Sequence, residues 1–290
     1  MFRFVEREKA CLRVTTMCRL LGVSPSGFWA WRRRAPSTRQ RADAVLVQRI
    51  RAAHALSRGI YGAPRIHAEL AEAGVHCGRK RIARLMRREG VVGVHRRRFV
   101  HTTLRDAAAE PAPDLVERHF ERDAPDQLWV ADITYLPTSA GYLYLATILD
   151  TWSRVVVGWA MASHLRTSLV TAALAMALAR RQPGPGLVFH SDHGCQYTSL
   201  DFGSRLAEAG IAASMGSRGD AYDNAVAESF FASVETELID RTSWRTTDQA
   251  FGDVADYIEA FYNRQRRHSS LGQLSPAEFE RRYRQQAVRA

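Results

Sequence analysis

The second half of the chain contains five short β-prone runs, and their order limits the possible folds more than any other feature. They are rich in β-branched, aromatic and other apolar residues and cover residues 127–136, 142–149, 154–161, 186–190 and 211–215. Helical patterns lie between the later runs, at 167–181 and 199–210. Three strands in succession are expected to pair as a meander, with its first strand at the centre of the sheet. The sequence therefore predicts an α/β core with a mixed five-stranded sheet and flanking helices.

Three acidic residues lie in or beside apolar segments, where their charge needs compensation. Asp132 lies inside the β-prone run 129–135, Asp192 ends the run 187–192, and Glu228 lies on a helical stretch. A carboxylate beside apolar neighbours is costly unless its charge is offset, and a divalent cation offsets it. Magnesium binds through one or two carboxylates and keeps positions open for water and phosphate. These three acids are therefore the predicted metal ligands.

Each of the three acids has an ordinary structural interpretation when it is considered alone. Asp132 could interrupt a strand for local hydrogen bonding, Asp192 could be a turn residue before Gly194, and Glu228 could be an exposed helix residue. Asp150, which ends the second β-prone run, is a rival acid. We interpret it as structural or as support for the ligands.

The first 105 residues are strongly basic, whereas the rest of the chain is mildly acidic. Residues 1–105 contain 24 Lys and Arg against 6 Asp and Glu, a net charge of +18. Residues 106–290 contain 17 against 24, a net charge of −7, and the whole chain carries +11. This separation indicates a nucleic-acid-binding module joined to a part with another task, although a basic surface that is merely solvated is the alternative.

Two helical units are expected within this basic half. Residues 14–34 have a helix–turn–helix pattern, in which Ser24 is the expected N-cap and Pro25 the first residue of the second helix. The second unit has three predicted helices, at about 44–56, 63–73 and 78–89. The last helix and the residues after it carry the predicted DNA phosphate contacts: Arg79, Lys80, Arg81, Arg84, Arg87, Arg88, Arg96, Arg97 and Arg98.

Further polar residues could support the predicted metal site or bind DNA. His190 and His193 flank Asp192 and could act as ligands or orient them, although a structural role near the strand end is favoured. Asp223 or Asn224 is expected to cap the helix that carries Glu228. Asn224, one helical turn before Glu228, is also a candidate DNA contact. Near the C-terminus, Arg266 and His268 either bind DNA or lock the last helices to the core.

These patterns divide the chain into five predicted segments. They are a helix–turn–helix-like segment at 1–40, a second helical DNA-binding domain at 41–100, a linker at 101–125, a catalytic core at 126–240 and a C-terminal helical extension at 241–290. The extension and the end of the core contain helical patterns at 223–240, 247–265 and 276–288.

Four strings of residues carry a resemblance over nearly the full chain. The first is 129–135; the second is Ser191-Asp192-His193-Gly194 with Gln196-Tyr197-Thr198-Ser199; the third is Asp223-Asn224-Ala225 leading to Glu228-Ser229-Phe230-Phe231; the fourth is Tyr262-Asn263 with Arg266, His268-Ser269-Ser270-Leu271 and Ser275-Pro276. Thirty-five residues separate Asp192 from Glu228. In this order and spacing, the strings resemble the DDE transposases, specifically the second-reading-frame (orfB-type) transposases of the bacterial IS-three insertion-sequence family.

The resemblance implies both a fold and a chemistry. The fold is an RNase H-like integrase catalytic core, which the order of strands and helices also matches, preceded by an all-α helix–turn–helix region. Asp132, Asp192 and Glu228 would be the catalytic triad and would bind two Mg²⁺ or Mn²⁺ ions per site. The activity would be metal-dependent DNA strand cleavage and strand transfer at the ends of an insertion sequence, in DNA transposition, integration and recombination.

The resemblance also implies partners. These are double-stranded DNA, as terminal inverted repeats and target, the product of an upstream reading frame, and further copies of the chain assembled on DNA. Two other functions stay open. One is a DNA-binding regulator with an inert RNase H-like domain, and the other is a ribonuclease acting on RNA–DNA hybrids, against which the basic leader argues.

One position departs from the family pattern, because Glu235 stands where the family usually has Lys or Arg, seven residues after the catalytic glutamate. Two helical turns from Glu228, it shares that residue's face, where an anion repels DNA unless it is neutralised. Replacing Glu235 by lysine is therefore expected to maintain or raise the affinity for DNA ends.

The composition also bears on the cellular location. No stretch reaches the ~18 apolar residues of a membrane span, and no signal peptide is recognised. The cysteines, which lack metal-ligand or disulfide spacing, are Cys11, Cys18, Cys77 and Cys195. We therefore expect a cytoplasmic protein without a membrane partner.

Overall fold

A five-stranded sheet forms the centre of the molecule in the computed structural model, which describes residues 1–95, 113–116, 119–192, 194–216 and 225–287. The strands are β1 (Leu128–Thr138), β2 (Gly141–Asp150), β3 (Val156–Ala162), β4 (Val188–Ser191) and β5 (Ala212–Met215). Their order across the sheet is β3-β2-β1-β4-β5. The first three strands pair antiparallel, whereas β4 is parallel to β1 and β5 is parallel to β4. The predicted meander, with Asp132 on the central strand, is confirmed.

Helices precede the sheet, cover it and follow it. They are α1 (Phe2–Glu8), α2 (Val14–Leu20), α3 (Pro25–Arg33), α4 (Thr38–Leu56), α5 (Ala63–Glu72), α6 (Arg79–Arg88), α7 (Thr167–Arg181), α8 (Leu200–Glu208), α9 (Ala225–Glu237), α10 (Thr247–Asp256) and α11 (Pro276–Ala287). A π-helical turn at Tyr257–Tyr262 continues α10, and short 3₁₀ turns lie at Ile239–Arg241 and Ser269–Leu271. Among the described helices, none is long and apolar enough to cross a membrane.

Helices cover both faces of the sheet. Successive side chains of a strand point to opposite faces, so a strand such as β1 contributes to both buried clusters. On β1, Leu128, Val130 and Leu136 belong to a hydrophobic cluster that α9 and α10 share. Trp129 and Ala131 belong to a second cluster, which α7 and α8 share. By this alternation, Asp132 lies on the face that α9 covers.

The first three helices form a small core of their own. Their buried cluster consists of Val5, Met17, Cys18 and Phe28. The Ser24 hydroxyl accepts a hydrogen bond from the Gly27 amide at 3.0 Å, and Pro25 is the first residue of α3. The predicted N-cap and helix start are therefore confirmed.

Helix α4 begins at Thr38, about six residues before the predicted start. Ser37 and Gln40 cap the helix reciprocally: the Ser37 amide donates to the Gln40 side chain at 2.7 Å, and the Gln40 amide donates to the Ser37 hydroxyl at 3.2 Å. This capping box satisfies amides that the helix leaves unpaired, so the helix extends back to the Pro36 break.

Helices α4 to α6 pack directly on the sheet domain instead of standing apart from it. Ile50, Ile66 and Leu85 lie in the same hydrophobic cluster as the α9 face of the sheet. The Tyr61 hydroxyl donates to the carbonyl oxygen of Gln265 at 3.0 Å and accepts from the Arg267 amide at 2.8 Å. The basic helical unit is thus docked onto the C-terminal segment.

Candidate active site

The sheet brings Asp132 and Asp192 to neighbouring positions. Strand β1 pairs in parallel with β4, and Val130 is opposite His190. Asp132 lies two residues beyond Val130, and Asp192 lies two residues beyond His190, directly after the end of β4. Asp132 thus lies within β1 and Asp192 directly after β4, at the same level of two adjacent parallel strands.

Helix α9 carries the third acid above the same face. Val226, Ala227 and Phe230 are buried against the sheet and fix the orientation of the helix. Glu228 lies between these buried positions and is half-buried. Its negative charge is the smallest of the causes that raise the pKa of Asp132.

Asp132 is the acid whose charge is least favourable in the metal-free protein. Burial, together with the negative charges of Asp192 and Glu228, raises the pKa of Asp132 to about 7, although a hydrogen bond from the Ile133 amide at 2.7 Å works in the opposite direction. A carboxyl group of this kind is only partly ionised near neutral pH. A bound cation would counteract this shift, because its positive charge favours the ionised form of Asp132.

Asp192 is exposed to solvent and also shapes the turn that follows it. Its Oδ1 accepts a hydrogen bond from the Gly194 amide at 3.0 Å. A β-carbon at Gly194 would lie 3.1 Å from this Oδ1 and 3.6 Å from Cδ2 of Tyr197, so a glycine fits the space between the two side chains. The turn-residue interpretation is therefore correct, and this turn uses Oδ1 of the carboxylate.

The chemistry of this donor set fits a hard divalent cation, which prefers carboxylate oxygens. Within the described ranges, no three His, Cys, Asp or Glu side chains are already gathered as a metal cage. Like charges repel in a metal-free site, and a cation would draw them together. A buried Tyr197 hydroxyl with no hydrogen-bond partner in the described part of the chain adds a polar group beside the acids.

The neighbouring polar residues have different positions. Asp150 is buried and structural: it accepts hydrogen bonds from the Ser153 amide, the Ser153 hydroxyl and the Asp126 amide, each at 2.7 Å. His190 is buried, and its Nδ1 lies 2.9 Å from the Ser214 hydroxyl on β5, which agrees with the favoured structural role. The predictions for His193, Asp223 and Asn224 concern positions outside the described residues.

Part of the positive charge of helix α6 is engaged in ion pairs. Arg81 and Arg84 pair with Asp43 of α4 at 2.6 and 2.7 Å, and these two arginines hold the pKa of Asp43 below its usual range. Arg88 pairs with Glu89 at 2.9 Å. The exposed cations of α6 without an ion-pair partner among the described residues are Arg79, Lys80 and Arg87. Arg96, Arg97 and Arg98 lie outside the described residues.

The prediction that Arg266 and His268 contact DNA needs correction. Both are buried, and Arg266 binds the Glu237 carboxylate through two hydrogen bonds of 2.7 Å. Burial and the charges of the nearby arginines lower the pKa of His268 to about 2, which keeps the ring neutral. The geometry favours the alternative, in which this segment locks the last helices to the core.

Sequence reasoning missed the burial of the Tyr197 hydroxyl and the ion pairs of Glu237. Tyr197 lies in the second motif string, yet nothing in the string indicates that its hydroxyl is buried beside Asp132 and Asp192. Glu237 ends α9 and joins Arg266 to Arg65 of α5, the latter at 3.4 Å. The sequence shows only that Glu237 lies on the same helix as Glu228. It does not show the two arginine partners of Glu237, because they are distant along the chain.

Three family models match successive parts of the chain. An integrase core domain model matches residues 122–221, an HTH-like domain model matches 40–99, and a second integrase core domain model matches 209–276. The chain is 41% identical over 272 residues to the insertion element IS600 uncharacterized 31 kDa protein of Shigella sonnei, covering 94% of this chain and 100% of that protein.

A second relative has a named activity. The chain is 39% identical over 279 residues to the transposase InsF for insertion sequence IS3A of Escherichia coli strain K12, covering 96% of this chain and 97% of that protein. Among solved structures, the simian T-cell lymphotropic virus intasome in complex with a PP2A regulatory subunit aligns at 14% identity and a TM-score of 0.45. That alignment covers 73% of this chain and 69% of the other, and it carries no functional argument.

Proposed function

The chain belongs to the InsF-type transposases of the IS3 insertion sequences, and from this premise we propose that Asp132, Asp192 and Glu228 hold the divalent metal with which it cuts and joins DNA. As a polynucleotidyl transferase of this family, it binds DNA and acts in DNA integration. Integrase core domains use a divalent metal ion. We propose two Mg²⁺ or Mn²⁺ ions for each site.

One observation supports the metal site above the others. Asp132 within β1 and Asp192 directly after β4 lie at the same level of adjacent parallel strands, and Glu228 lies on the helix that packs against the same face of the sheet. Bound divalent cations would lower the pKa of a water nucleophile and offset the charge that develops on the phosphodiester. The protein's own contribution is to fix the carboxylates on a rigid sheet and a packed helix.

The reaction consists of two transfers at phosphorus. In cleavage, water attacks the phosphodiester at the element's end, and the 3′-oxygen leaves as a free 3′-hydroxyl. In strand transfer, that hydroxyl attacks a phosphodiester of the target, whose own 3′-oxygen leaves. Neither transfer requires a covalent bond between the enzyme and DNA, so the scheme assigns no nucleophile to the protein.

We propose both a DNA-binding surface and an assembly of several copies on DNA. The docked unit α4 to α6 would bind the terminal inverted repeats, with Arg79, Lys80 and Arg87 as phosphate contacts because they are exposed and not engaged in ion pairs of the described chain. We further propose that several copies assemble on DNA, since two element ends need two sites, and that a product of an upstream reading frame takes part.

An assay with labelled DNA that carries the ends of the cognate insertion sequence tests the proposal. Wild type is expected to release 3′-hydroxyl ends and joined products only with Mg²⁺ or Mn²⁺. Asp192→Asn and Glu228→Gln should lose activity on the order of 10²-fold or more, as expected for groups that act on the transition state. Asp201→Asn, an exposed aspartate on α8, is the matched control and should retain activity.

The assay also separates this function from its rival. A DNA-binding regulator with an inert core would bind the same DNA ends but give no metal-dependent products with wild type. Equal activity of wild type, Asp192→Asn and Glu228→Gln would exclude these residues as the metal ligands.

A further inference from the structure

The hydroxyl of Tyr197 is a buried polar group without a local function. The side chain is 4% exposed, and its Oη has no hydrogen-bond partner in the part of the chain that the structure describes. A buried hydroxyl that makes no hydrogen bond destabilises a protein, and native structures rarely keep one without a reason.

The position of the ring is fixed from several sides. It packs edge-on against Phe202, with ring centroids 5.6 Å apart, and against Phe189 at 6.3 Å. The Tyr197 amide donates to the carbonyl oxygen of Gly194 at 3.0 Å, which ties the residue to the turn that Asp192 begins. The hydroxyl therefore cannot turn to solvent without disrupting this packing.

The Tyr197 ring lies next to the turn that carries the proposed ligand Asp192. Gly194 separates the ring from the Asp192 carboxylate, because a single β-carbon placed there would contact both. Burial, together with the negative charges of Asp132 and Asp192, raises the pKa of Tyr197 well above its usual value. Each aspartate already accepts one hydrogen bond from a backbone amide: Asp132 from Ile133, and Asp192 from Gly194.

We propose that the Tyr197 hydroxyl donates a hydrogen bond to a carboxylate oxygen of the Asp132–Asp192 pair in the metal-loaded protein, which makes Tyr197 a positioning residue of that site. The inference rests on the metal site proposed above. Without a cation the repelling carboxylates leave the hydroxyl unpaired, and cation binding draws a carboxylate oxygen to it. Partners of this kind orient metal ligands, and their loss typically weakens metal binding on the order of 10- to 100-fold.

Tyr197→Phe removes only the hydroxyl oxygen. It is expected to preserve the stability of the metal-free protein and to weaken metal binding. In the metal-free protein, the melting temperature should stay the same or rise, because no hydrogen bond is lost. The Mn²⁺ dissociation constant, measured by titration calorimetry of the full chain without DNA, should increase on the order of tenfold.

Tyr257→Phe is the matched control. Tyr257 is also fully buried, but its hydroxyl donates to the Glu237 carboxylate at 2.8 Å, at the other end of α9 from Glu228. This variant should lower the metal-free melting temperature and leave the Mn²⁺ dissociation constant unchanged. The two variants therefore separate a ligand-orienting hydroxyl from a structural one.

Three results would overturn the inference. Mn²⁺ affinity equal to wild type in Tyr197→Phe would show that the hydroxyl does not support the ligands. A metal-free melting temperature that falls as in Tyr257→Phe would assign Tyr197 an ordinary structural role. If Asp192→Ala binds Mn²⁺ as wild type does, or wild type binds none, the proposed metal site itself fails, and the role of Tyr197 fails with it.

Discussion

Asp132 lies on a strand, is partly buried and has two acidic neighbours. Ionisation of its carboxyl group is therefore unfavourable in the metal-free protein. The pKa of Asp132 is about 7 in the folded protein and close to 3.9 in an unfolded chain. The folded state therefore holds this proton more tightly. The contribution of the protonated Asp132 to the free energy of unfolding is fully present below about pH 4 and is lost as the pH rises to about 7.

We predict that Asp132→Asn stabilises the metal-free protein at pH 8 and has little effect at pH 4. A shift of this size corresponds to about 4 kcal/mol at full burial, and partial exposure of the side chain reduces the expected gain to ~2 kcal/mol. Urea unfolding at both pH values in the presence of a chelator measures it. A variant less stable than wild type at pH 8 would contradict the interpretation that burial and like charges dominate at Asp132.

The side chains of the site could be predicted from the sequence only where the backbone alone places them. Asp132 lies inside one β-prone run and Asp192 ends another, so their placement on neighbouring strands follows from the strand order. The burial of Arg266 could not be predicted in this way. Its partner Glu237 lies 29 residues earlier, and only the packed orientation of α9 shows that the two side chains meet.

Helix α7 shows how a strand and a helix position each other. Its bounds, 167–181, were predicted correctly, because an apolar run ends in two arginines. Its closeness to β3 was not evident, since it depends on Gly158. A β-carbon at Gly158 would lie 2.2 Å from the carbonyl oxygen of Ala173 and 2.8 Å from the β-carbon of Ala177. The helix approaches the sheet over a residue without a side chain.

We predict that Gly158→Ala lowers the free energy of unfolding by about 2 kcal/mol or more, because α7 must move off the strand. Gly203→Ala is the control on α8, where a β-carbon would meet no atom within 4 Å. That substitution should stabilise the protein by about 0.5–1 kcal/mol through helix propensity. Urea denaturation compares the two, and equal effects would show that the close approach has no energetic consequence.

Helix α6 carries basic residues that form ion pairs and others that have no ion-pair partner among the described residues. We predict that Lys80→Ala and Arg87→Ala weaken binding to element-end DNA and reduce the slope of log affinity against log salt concentration by about 1 for each lost phosphate contact. Arg205→Ala, an exposed cation on α8, should leave both quantities unchanged. An unaltered salt slope in both α6 variants would remove this helix from the proposed DNA interface.

Glu237 joins α9 to three other parts of the molecule, and we expect these parts to unfold together. Its carboxylate accepts hydrogen bonds from Arg266 of the C-terminal segment, from Tyr257 of the π-helical turn and, at 3.4 Å, from Arg65 of α5. The helix that carries Glu228 is thereby joined to the docked basic unit. DNA bound by that unit would consequently be held in a fixed relation to the carboxylates.

We predict that Glu237→Gln lowers the free energy of unfolding by about 2–4 kcal/mol, because it leaves buried arginine charge uncompensated. Glu278→Gln, which also removes a partner of two arginines, acts at the surface of α11 and should cost less than about 1 kcal/mol. Far-ultraviolet dichroism and tryptophan fluorescence should give coincident transitions in urea. Separate transitions would contradict the single folding unit.

Diffraction from crystals grown with Mn²⁺, with data collected near the manganese absorption edge, tests the proposed metal site most directly. We predict anomalous density within ligand distance of the Asp132 and Asp192 carboxylates, with Glu228 on the same cluster and the Tyr197 hydroxyl hydrogen-bonded to one of the aspartates. Manganese held elsewhere, or these carboxylates still apart at saturating Mn²⁺, would contradict the account.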